Sequence, residues 1–349
     1  MPADTTAMLR ADCLTAIGGQ QLPAEISVGV RIAVTGGTGF LGSWIAETVA
    51  ALNDEHKCGI TLDLYSHACR TMPSSLQHLA GRSDILIRQQ DVRSPFEFHP
   101  ATTHIIHAAG LPDNRLHASD PVRVFQTIVS GMNNVLNAAV KLPALVRLVN
   151  VSSGLVSGDA SGSGRLREED LFACDFSRPH AVYPEAKRAA ENLCAVYASQ
   201  FRLPVSTVRP FTFLGPYQNL DRPWAVNDFL RGGLHRGEIR VHGDGSMQRS
   251  YLYGSDAAWW LLNVMLKGRD GRCYNLGSEE AIRHADLAAL VASLIEPRPR
   301  IVMGTLQGNH TRAHDFLPDV SRITAELGLR QTCQLADAVQ KTIVWNQAC

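Results

Sequence analysis

Three side chains have the types and the order needed to move a proton at an oxygen while a hydride moves to or from the carbon that bears it. Ser153 follows an apolar run at 145–151, and Tyr183 and Lys187 come thirty residues later. A separation of four residues places Tyr183 and Lys187 on one face of a helix. A free phenol has a pKa of about 10, and a nearby ammonium lowers that value toward the range useful for acid–base work. The pattern predicts Tyr183 as the acid/base, Lys187 as the group that tunes it, and a serine at the end of the apolar run, Ser152 or Ser153, as the hydroxyl that orients a substrate oxygen.

A glycine turn upstream predicts what supplies the hydride. The apolar residues 31–34 are followed by Gly36, Gly39 and Gly42 and then by a helical pattern at 43–50. Without Cβ atoms the backbone can approach a pyrophosphate, and a helix N-terminus directs free N–H groups toward it. A tight turn without a ligand is the alternative, but a strand before and a helix after favour nucleotide binding. The cofactor-binding residues expected here are Gly36, Thr38, Gly39, Phe40 and Leu41.

The composition excludes several other classes of protein. The chain has 349 residues, 45% of them hydrophobic, and 33 basic residues balance 33 acidic ones. Nothing in this balance indicates nucleic acid or a membrane as a partner. The eight cysteines form no CxxC pair, and the N-terminus lacks a secretory signal, so we expect a cytoplasmic protein with reduced thiols and no metal.

Strand-like and helix-like segments alternate from residue 30 onward. The expected strands are 31–35, 60–65, 84–88, 103–107, 145–151 and 205–209, and the expected helices are 42–52, 74–80, 121–141 and 181–201. This alternation predicts an α/β fold with a parallel sheet covered by helices on both faces. After about residue 211 the rhythm breaks, which predicts a second lobe that closes over the substrate. Residues 1–29 form an N-terminal extension with one amphipathic helix, packed on the main domain or on a partner subunit.

Taken together, these motifs resemble the extended short-chain dehydrogenase/reductase superfamily, in particular its nucleotide-sugar-modifying epimerase/dehydratase branch. The resemblance rests on Thr-Gly-Gly-Thr-Gly-Phe-Leu-Gly at 35–42, on the Ser-Tyr-Lys order and on the segments 208–217 and 241–256. It covers about residues 30–345 and implies a Rossmann-type doubly wound sheet with a smaller C-terminal substrate-binding lobe. The resemblance implies a dinucleotide-binding domain formed by residues 30–210 together with 254–277. It implies a substrate-binding lobe formed by residues 211–253 and 278–349.

The tip of the second strand bears on the choice of cofactor. An acidic residue there would bind the adenosine ribose diol and favour NAD. The tip instead offers Ser66, His67 and Arg70, whose hydrogen bonds and charge suit a 2′-phosphate, so NADP is favoured over NAD. The opposing argument, for NAD, is that Asp63 within the strand could be the acid that binds the ribose diol.

The resemblance implies further contacts with the cofactor. Asp91 and Val92 would hold the adenine, although Asp91 as a helix cap is the alternative. Ile128 stands where the family carries Asn, so a backbone kink there would be held differently. Small residues at the end of the fourth strand would admit the nicotinamide ribose, Lys187 would hydrogen-bond it, and the segment at 208–217 would close the site. The residues concerned are Ala108, Ala109, Gly110, Lys187 and Phe211.

The resemblance also implies the residues that hold the substrate. It selects Ser153 over Ser152, because residues 153–158 match the family's Ser/Thr-x-x-Val-Tyr-Gly segment. Arg249 would pair with a nucleotide diphosphate, since a guanidinium suits phosphate oxygens. Thr212 stands where the family carries Asn, and Asn227 is a candidate substitute or an ordinary helix cap. Sugar 4,6-dehydratases carry Asp-Glu directly after the catalytic Ser/Thr, and Gly154 and Leu155 occupy those positions, which disfavours 4,6-dehydration.

The predicted function is therefore NAD(P)-dependent hydride transfer at C4 of a nucleotide-linked hexose. Reduction of an NDP-4-keto-6-deoxyhexose is favoured, with 4-epimerisation by tightly bound NAD and reduction of a non-sugar ketone as alternatives. A catalytically silent redox sensor is disfavoured because both Tyr183 and Lys187 are present. The family also implies a homodimer through the helices 121–141 and 181–201.

Overall fold

The computed structural model of the chain describes residues 3–18, 26, 29–158, 164–304 and 315–348. Within these ranges seven strands form one parallel sheet, in the order β3-β2-β1-β4-β5-β6-β11. Its strands are β1 Arg31–Thr35, β2 Thr61–Ser66, β3 Ile85–Gln89, β4 His104–His107, β5 Arg147–Val151, β6 Val205–Pro210 and β11 Cys273–Leu276. Three smaller strand pairs lie outside it: β7 Phe213–Leu214 with β10 Leu252–Tyr253, β9 Gln248–Ser250 with β12 Ala281–Arg283, and β8 Glu238–Val241 with β13 Arg300–Met303.

Helices connect these strands and cover the sheet. They are α1 Ala3–Gly18, α2 Phe40–His56, α3 Asn114–Ser119, α4 Pro121–Phe125, α5 Gly131–Ala139, α6 Val182–Phe201, α7 Ala225–Arg236, α8 Gly254–Lys267, α9 His284–Ser293, α10 Ser321–Leu327 and α11 Leu335–Ala348. The predicted Rossmann-type α/β fold is confirmed, and strands expected within 30–210 begin and end within two residues of their expected positions. None of the described helices has the length and apolar character needed to cross a bilayer.

The order of the strands creates the crevice in which a ligand can bind. From β1 the chain runs to β2 and β3 on one side, and then returns to place β4 on the other side of β1. In open parallel sheets ligands bind at the carboxyl ends of the strands beside such a reversal. The glycine turn after β1 and the residues after β4 therefore face each other across the crevice.

The region at 121–141, expected as one helix, is interrupted. α4 ends at Phe125, a π-helical turn spans Gln126–Ser130, and α5 begins at Gly131. Ile128 within this turn is only 2% exposed. The kink is thus present although Ile128 replaces the Asn of the resembling family, and it is filled by packing.

The N-terminal helix packs on the main domain. Leu9, Cys13 and Ile17 of α1 are at most 1% exposed and belong to the same core as Trp44 of α2. Asp12, also buried, accepts hydrogen bonds from Tyr253 and from Lys341 at its two carboxylate oxygens. Of the two placements expected for this helix, the main domain is therefore the observed one.

The segment at 254–277 rejoins the sheet after the first part of the C-terminal region. β11 pairs with β6 at the sheet edge, and α8 packs against the sheet. The region after Pro210 otherwise contains the small strand pairs and α7, α9, α10 and α11. Its division into a domain and a separate lobe stays a prediction.

Candidate active site

A cavity of about 990 Å³ opens at the carboxyl ends of β1, β4 and β5. This volume lies at the upper end of the range for small-molecule and cofactor sites. All but two of the site residues expected from the sequence line it. Those that do are Gly36, Thr38, Gly39, Phe40, Leu41, Ser66, His67, Asp91, Val92, Ala108, Ala109, Gly110, Ser153, Tyr183, Lys187, Phe211, Thr212 and Arg249.

The glycine turn has the geometry of a dinucleotide cradle. Gly36 has φ +69°, and a Cβ there would lie 2.9 Å from the carbonyl oxygen of Ala108. A side chain at this position would be strained and would push β1 and β4 apart. Gly39 caps α2, and its carbonyl accepts the first helical hydrogen bond from Ser43 N at 2.8 Å. The turn thus leaves the helix N-terminus open toward the cavity, as a pyrophosphate requires.

The three predicted catalytic residues meet in this cavity. Ser153 lies two residues beyond the end of β5. Its Oγ accepts from Leu155 N at 3.2 Å, which leaves the hydroxyl hydrogen to donate, and a side-chain hydrogen bond joins Ser153 to Tyr183. Tyr183 and Lys187 project from the first two turns of α6, and all three side chains are at most 7% exposed. Lys187 Nζ donates to the carbonyl oxygen of Val151 at 2.7 Å and lies 5.9 Å from the centre of the Tyr183 ring.

The electrostatics of Tyr183 differ from the expectation. Burial raises the pKa of Tyr183 to about 12, an effect only partly opposed by Ser153 and by the charge of Arg222. The sequence predicts a pKa lowered by Lys187 and a cationic nicotinamide together; Lys187 is not among the groups that shift the pKa of Tyr183 here. Burial also lowers the pKa of Lys187 to about 8, so the ammonium itself is only weakly favoured.

At the carboxyl end of β2, the described residues that line the cavity are Tyr65, Ser66 and His67, and none of these three is an acid. Asp63 lies within β2, fully buried, and its carboxylate accepts from Arg31 Nε at 2.6 Å and from Arg88 Nε at 2.9 Å. Asp63 therefore forms buried ion pairs with two arginines and does not line the cavity. The argument for NAD drawn from Asp63 is wrong for this reason. Ser66, at the end of β2, lies 3.1 Å from Thr38, oxygen to oxygen, inside the cavity.

The structure places Arg70, expected at the 2′-phosphate, outside the cavity lining. Its Nε donates to Gln89 Oε1 at 2.5 Å on the surface beside β3. His67 and Arg93 supply positive or ionisable groups at this end instead. Arg93 is engaged, because it forms an ion pair of 2.6 Å with Asp91 and holds the pKa of that carboxyl below its usual range.

The segment around Val92 is fixed from the kinked helix. A Cβ at Gly131 would lie 2.9 Å from Val92 Cγ2, and Asn134 donates its side-chain amide to the Val92 carbonyl at 2.9 Å. Asn134 thus anchors the stretch expected to hold the adenine.

The other end of the cavity gathers Phe211, Thr212 and Arg249. Arg249 Cζ lies 5.8 Å from the centre of the Phe316 ring, which stacks on Phe211 with centroids 4.4 Å apart. Phe211 in turn covers Gly154, where a Cβ would lie 2.7 Å from the ring. An acidic residue at position 154 would displace this ring, which gives a steric reason for its absence.

Asn227, expected as a substrate ligand, is not part of the cavity lining. It is fully buried; its Oδ1 accepts from Gln218 Nε2 at 2.5 Å, and its Nδ2 donates to the carbonyls of Asn219 and Arg222 at 3.0 and 3.1 Å. Asn227 therefore shapes the loop at 218–224, which lines the cavity, and contacts no open space itself.

Two cavity residues were not predicted from the sequence. His117 of α3 stacks on Tyr183, with ring centroids 4.6 Å apart and planes 17° from parallel. Arg222, on the loop at 218–224, lies 5.7 Å from the Trp224 ring centre, and its charge reaches Tyr183. Neither stands in a recognisable motif; the only sequence signal is that both follow the carboxyl end of a strand.

The parallel sheet, the glycine turn at its reversal point and the Ser-Tyr-Lys set in one cavity define a short-chain dehydrogenase/reductase. The family model for the NAD dependent epimerase/dehydratase family matches residues 32–277. The chain belongs to this family of NAD-dependent enzymes, whose described members act on nucleotide sugars as epimerases, dehydratases or decarboxylases.

The similar proteins include enzymes that catalyse different reactions, namely decarboxylases and an epimerase. UDP-glucuronic acid decarboxylase 1 of Danio rerio is 26% identical over 315 residues, which span 90% of this chain and 72% of the relative. UDP-N-acetyl-alpha-D-glucosaminuronate decarboxylase of Bacillus cytotoxicus is 25% identical, across 90% of this chain and 97% of the relative. The crystal structure of UDP-glucose 4-epimerase from Thermotoga maritima with UDP-glucose has a TM-score of 0.77 at 21% identity, covering 91% of this chain and 99% of that chain.

Proposed function

We propose that the chain reduces the C4 ketone of a nucleotide-linked 4-keto-6-deoxyhexose with NAD(P)H. The observation that carries this proposal is the meeting of Ser153, Tyr183 and Lys187 in one cavity, with all three side chains at most 7% exposed. Burial raises the pKa of Tyr183 to about 12. Such a phenol keeps its proton at neutral pH, which is the form needed to protonate the oxygen of a ketone as it is reduced.

Each residue of the set has one task in this reaction. When bound, the dinucleotide supplies the hydride. Ser153 donates its hydroxyl hydrogen to the substrate oxygen and Tyr183 delivers the proton to that oxygen. Lys187, held by the Val151 carbonyl, points its remaining N–H groups toward the space beside Gly110, where a Cβ would lie 3.5 Å from Nζ. That position suits the hydroxyls of a nicotinamide ribose.

NADPH is the proposed reductant. Among the cavity residues that the structure describes, the carboxylates are Asp91, which is paired with Arg93, and Asp315. Ser66 and His67 at the end of β2 offer a hydroxyl and an ionisable ring in place of the acid that binds a ribose diol. This arrangement supports the preference for a 2′-phosphate.

Arg249→Ala is expected to raise KM for the nucleotide sugar about 10- to 100-fold with a smaller change in kcat. A hydrogen bond to a charged group contributes roughly 1.5–3 kcal/mol, and each 1.4 kcal/mol is about tenfold in binding. Steady-state kinetics measures both constants. Arg240→Ala removes an exposed arginine of the same region and serves as the control. An unchanged KM would favour the reductase of a non-sugar ketone.

A second candidate is a reaction in which hydride is taken from C4 and then returned, as in 4-epimerisation or uronate decarboxylation. Arg222 favours it, because a guanidinium on the cavity wall near Tyr183 suits a sugar carboxylate. The decarboxylases among the relatives are consistent with this reading. The test is incubation with NAD and UDP-glucuronic acid. Mass spectrometry detects the loss of CO₂ that decarboxylation causes, and NMR of the sugar detects the inverted C4 that epimerisation causes.

Absorbance at 340 nm tests the proposed reduction. The purified chain is mixed with NADPH or NADH and a panel of NDP-4-keto-6-deoxysugars. We expect substrate-dependent oxidation of NADPH in preference to NADH. No consumption with any ketosugar, together with NAD that stays bound through purification, would replace this proposal with the second candidate.

A homodimer through α4 and α6 is proposed as the assembly. Four large apolar side chains on these helices are 46–66% exposed: Val122, Phe125, Val196 and Phe201. We expect a dimer by size-exclusion chromatography with light scattering, and a monomer for Phe125→Glu. Phe176→Glu, at a residue 83% exposed on a loop, should leave the dimer intact. A monomeric wild-type chain at micromolar concentration would overturn the assembly.

A further inference from the structure

Tyr183 stands at the start of its helix, and its hydroxyl is hydrogen-bonded to Ser153. It is the second residue of α6, and no side chain caps the start of that helix at Ala181. Lys187, the other residue of the set on this helix, holds the Val151 carbonyl and lies 5.9 Å from the ring centre. Proton transfer requires the phenol oxygen to stay within hydrogen-bond reach of the substrate oxygen.

His117 lies directly on this ring. The two ring planes differ by 17° and their centroids are 4.6 Å apart, within the distance range of stacked aromatic pairs. The imidazole is 6% exposed and lines the cavity. It comes from α3, whereas Ser153 follows β5 and is hydrogen-bonded to Tyr183, so two separate elements bound the phenol.

The imidazole is itself held in one orientation. His117 Nε2 lies 2.8 Å from the Leu111 carbonyl oxygen, which can only accept, so Nε2 carries the hydrogen. Burial lowers the pKa of His117, which keeps the ring neutral at neutral pH. Asp113 fixes the start of α3 by accepting from Arg115 N at 3.0 Å and forming an ion pair with the same arginine.

We propose that His117 is a positioning residue for Tyr183. The imidazole ring of His117, stacked on the phenol and hydrogen-bonded to Leu111, holds the phenol in the orientation that delivers the proton. This inference rests on the proposed role of Tyr183 as the proton donor. His117 acts through the face of the phenol and takes no proton itself. Loss of the ring lets the phenol turn away from the substrate, and a misplacement of about 1 Å can cost about 10² in rate.

Three variants of His117 separate stacking from the hydrogen bond. His117→Phe keeps an aromatic ring and loses the bond to Leu111. His117→Asn keeps a side-chain N–H and loses the ring, and His117→Ala loses both. His235→Ala, at an exposed histidine, is the matched control. Thermal unfolding and the Kd for NADPH establish that each variant is folded and binds cofactor.

The expected result is a split between kcat and KM. His117→Ala and His117→Asn should lower kcat about 10- to 100-fold, with KM for the ketosugar and Kd for NADPH within about threefold of the wild type. His117→Phe should restore kcat to within about threefold. A kcat within twofold of wild type for His117→Ala, or rescue by Asn but not by Phe, would overturn the proposal. Tyr183→Phe is assayed alongside: if it stays active, the proposed function itself fails, whatever the His117 variants do.

Discussion

Tyr183→Phe is expected to lower kcat about 10³-fold, because general acid catalysis contributes roughly 10²–10⁴-fold and Phe has no proton to give. Phe keeps the ring that stacks on His117 and the packing of a side chain that is 6% exposed. The fold and the affinity for NAD(P)H should therefore be retained. Steady-state kinetics and fluorescence titration with NADPH measure the two effects separately.

A matched control for Tyr183 lies on the same helix. Tyr197 of α6 donates its hydroxyl to Asn133 and Asn137 of α5, away from the cavity, so Tyr197→Phe should leave kcat unchanged. If Tyr183→Phe retains more than about a tenth of the wild-type kcat, another group donates the proton and the catalytic assignment is wrong.

Lys187→Met is expected to act in opposite directions on activity and stability. It should reduce kcat/KM about 10²-fold or more, because the substitution removes the ammonium proposed to hydrogen-bond the nicotinamide ribose beside Gly110. At the same time the free energy of unfolding at pH 7 should rise by about 2 kcal/mol. Burial lowers the pKa of Lys187 from 10.5 to about 8, which corresponds to about 3 kcal/mol, and the lost hydrogen bond to Val151 offsets about 1 kcal/mol of it.

The sign of the pH dependence follows from this lowered pKa. Between about pH 8 and 10.5 the unfolded chain keeps a proton on Lys187 that the folded protein has lost. Stability contributed by this group therefore rises with pH across that window and is lowest below pH 8. Because buried cysteines such as Cys194 and Cys273 have raised pKa values and oppose this rise, the quantity to follow is the difference in unfolding free energy between the wild type and Lys187→Met. Urea unfolding at several pH values should show the excess stability of Lys187→Met over the wild type shrinking between about pH 8 and 10.5. Lys141→Met, at an exposed lysine, is the control, and parallel curves for wild type and Lys187→Met would contradict the account.

The parts of this fold that the sequence predicts are those governed by local pattern. β1, β5 and α6 were expected nearly as they occur because buried parallel strands are apolar runs and α6 has helical spacing. The glycine turn and the Ser-Tyr-Lys set were predicted for the same reason, since their spacing is set by one turn or one helix.

What the sequence did not predict depends on contacts between distant segments. Asn227 looked available as a ligand, but the loop at 218–224 folds back onto it and uses all of its hydrogen-bonding groups. Arg70 and Asp63 were judged by their distance from a strand end, and their actual partners lie on neighbouring strands. The raised pKa of Tyr183 and the stacked His117 likewise arise only once three separate elements enclose the phenol.

Transfer of deuterium from cofactor to sugar tests the central claim most directly. The chain is incubated with NADPH that carries deuterium at both hydrogen positions of nicotinamide C4, together with an NDP-4-keto-6-deoxyhexose, and the sugar is analysed by mass spectrometry and NMR. We expect a product one mass unit heavier than that formed with unlabelled NADPH, with the deuterium at sugar C4 and one NADPH consumed per product. A product without deuterium, or deuterium at another carbon, would contradict the central claim.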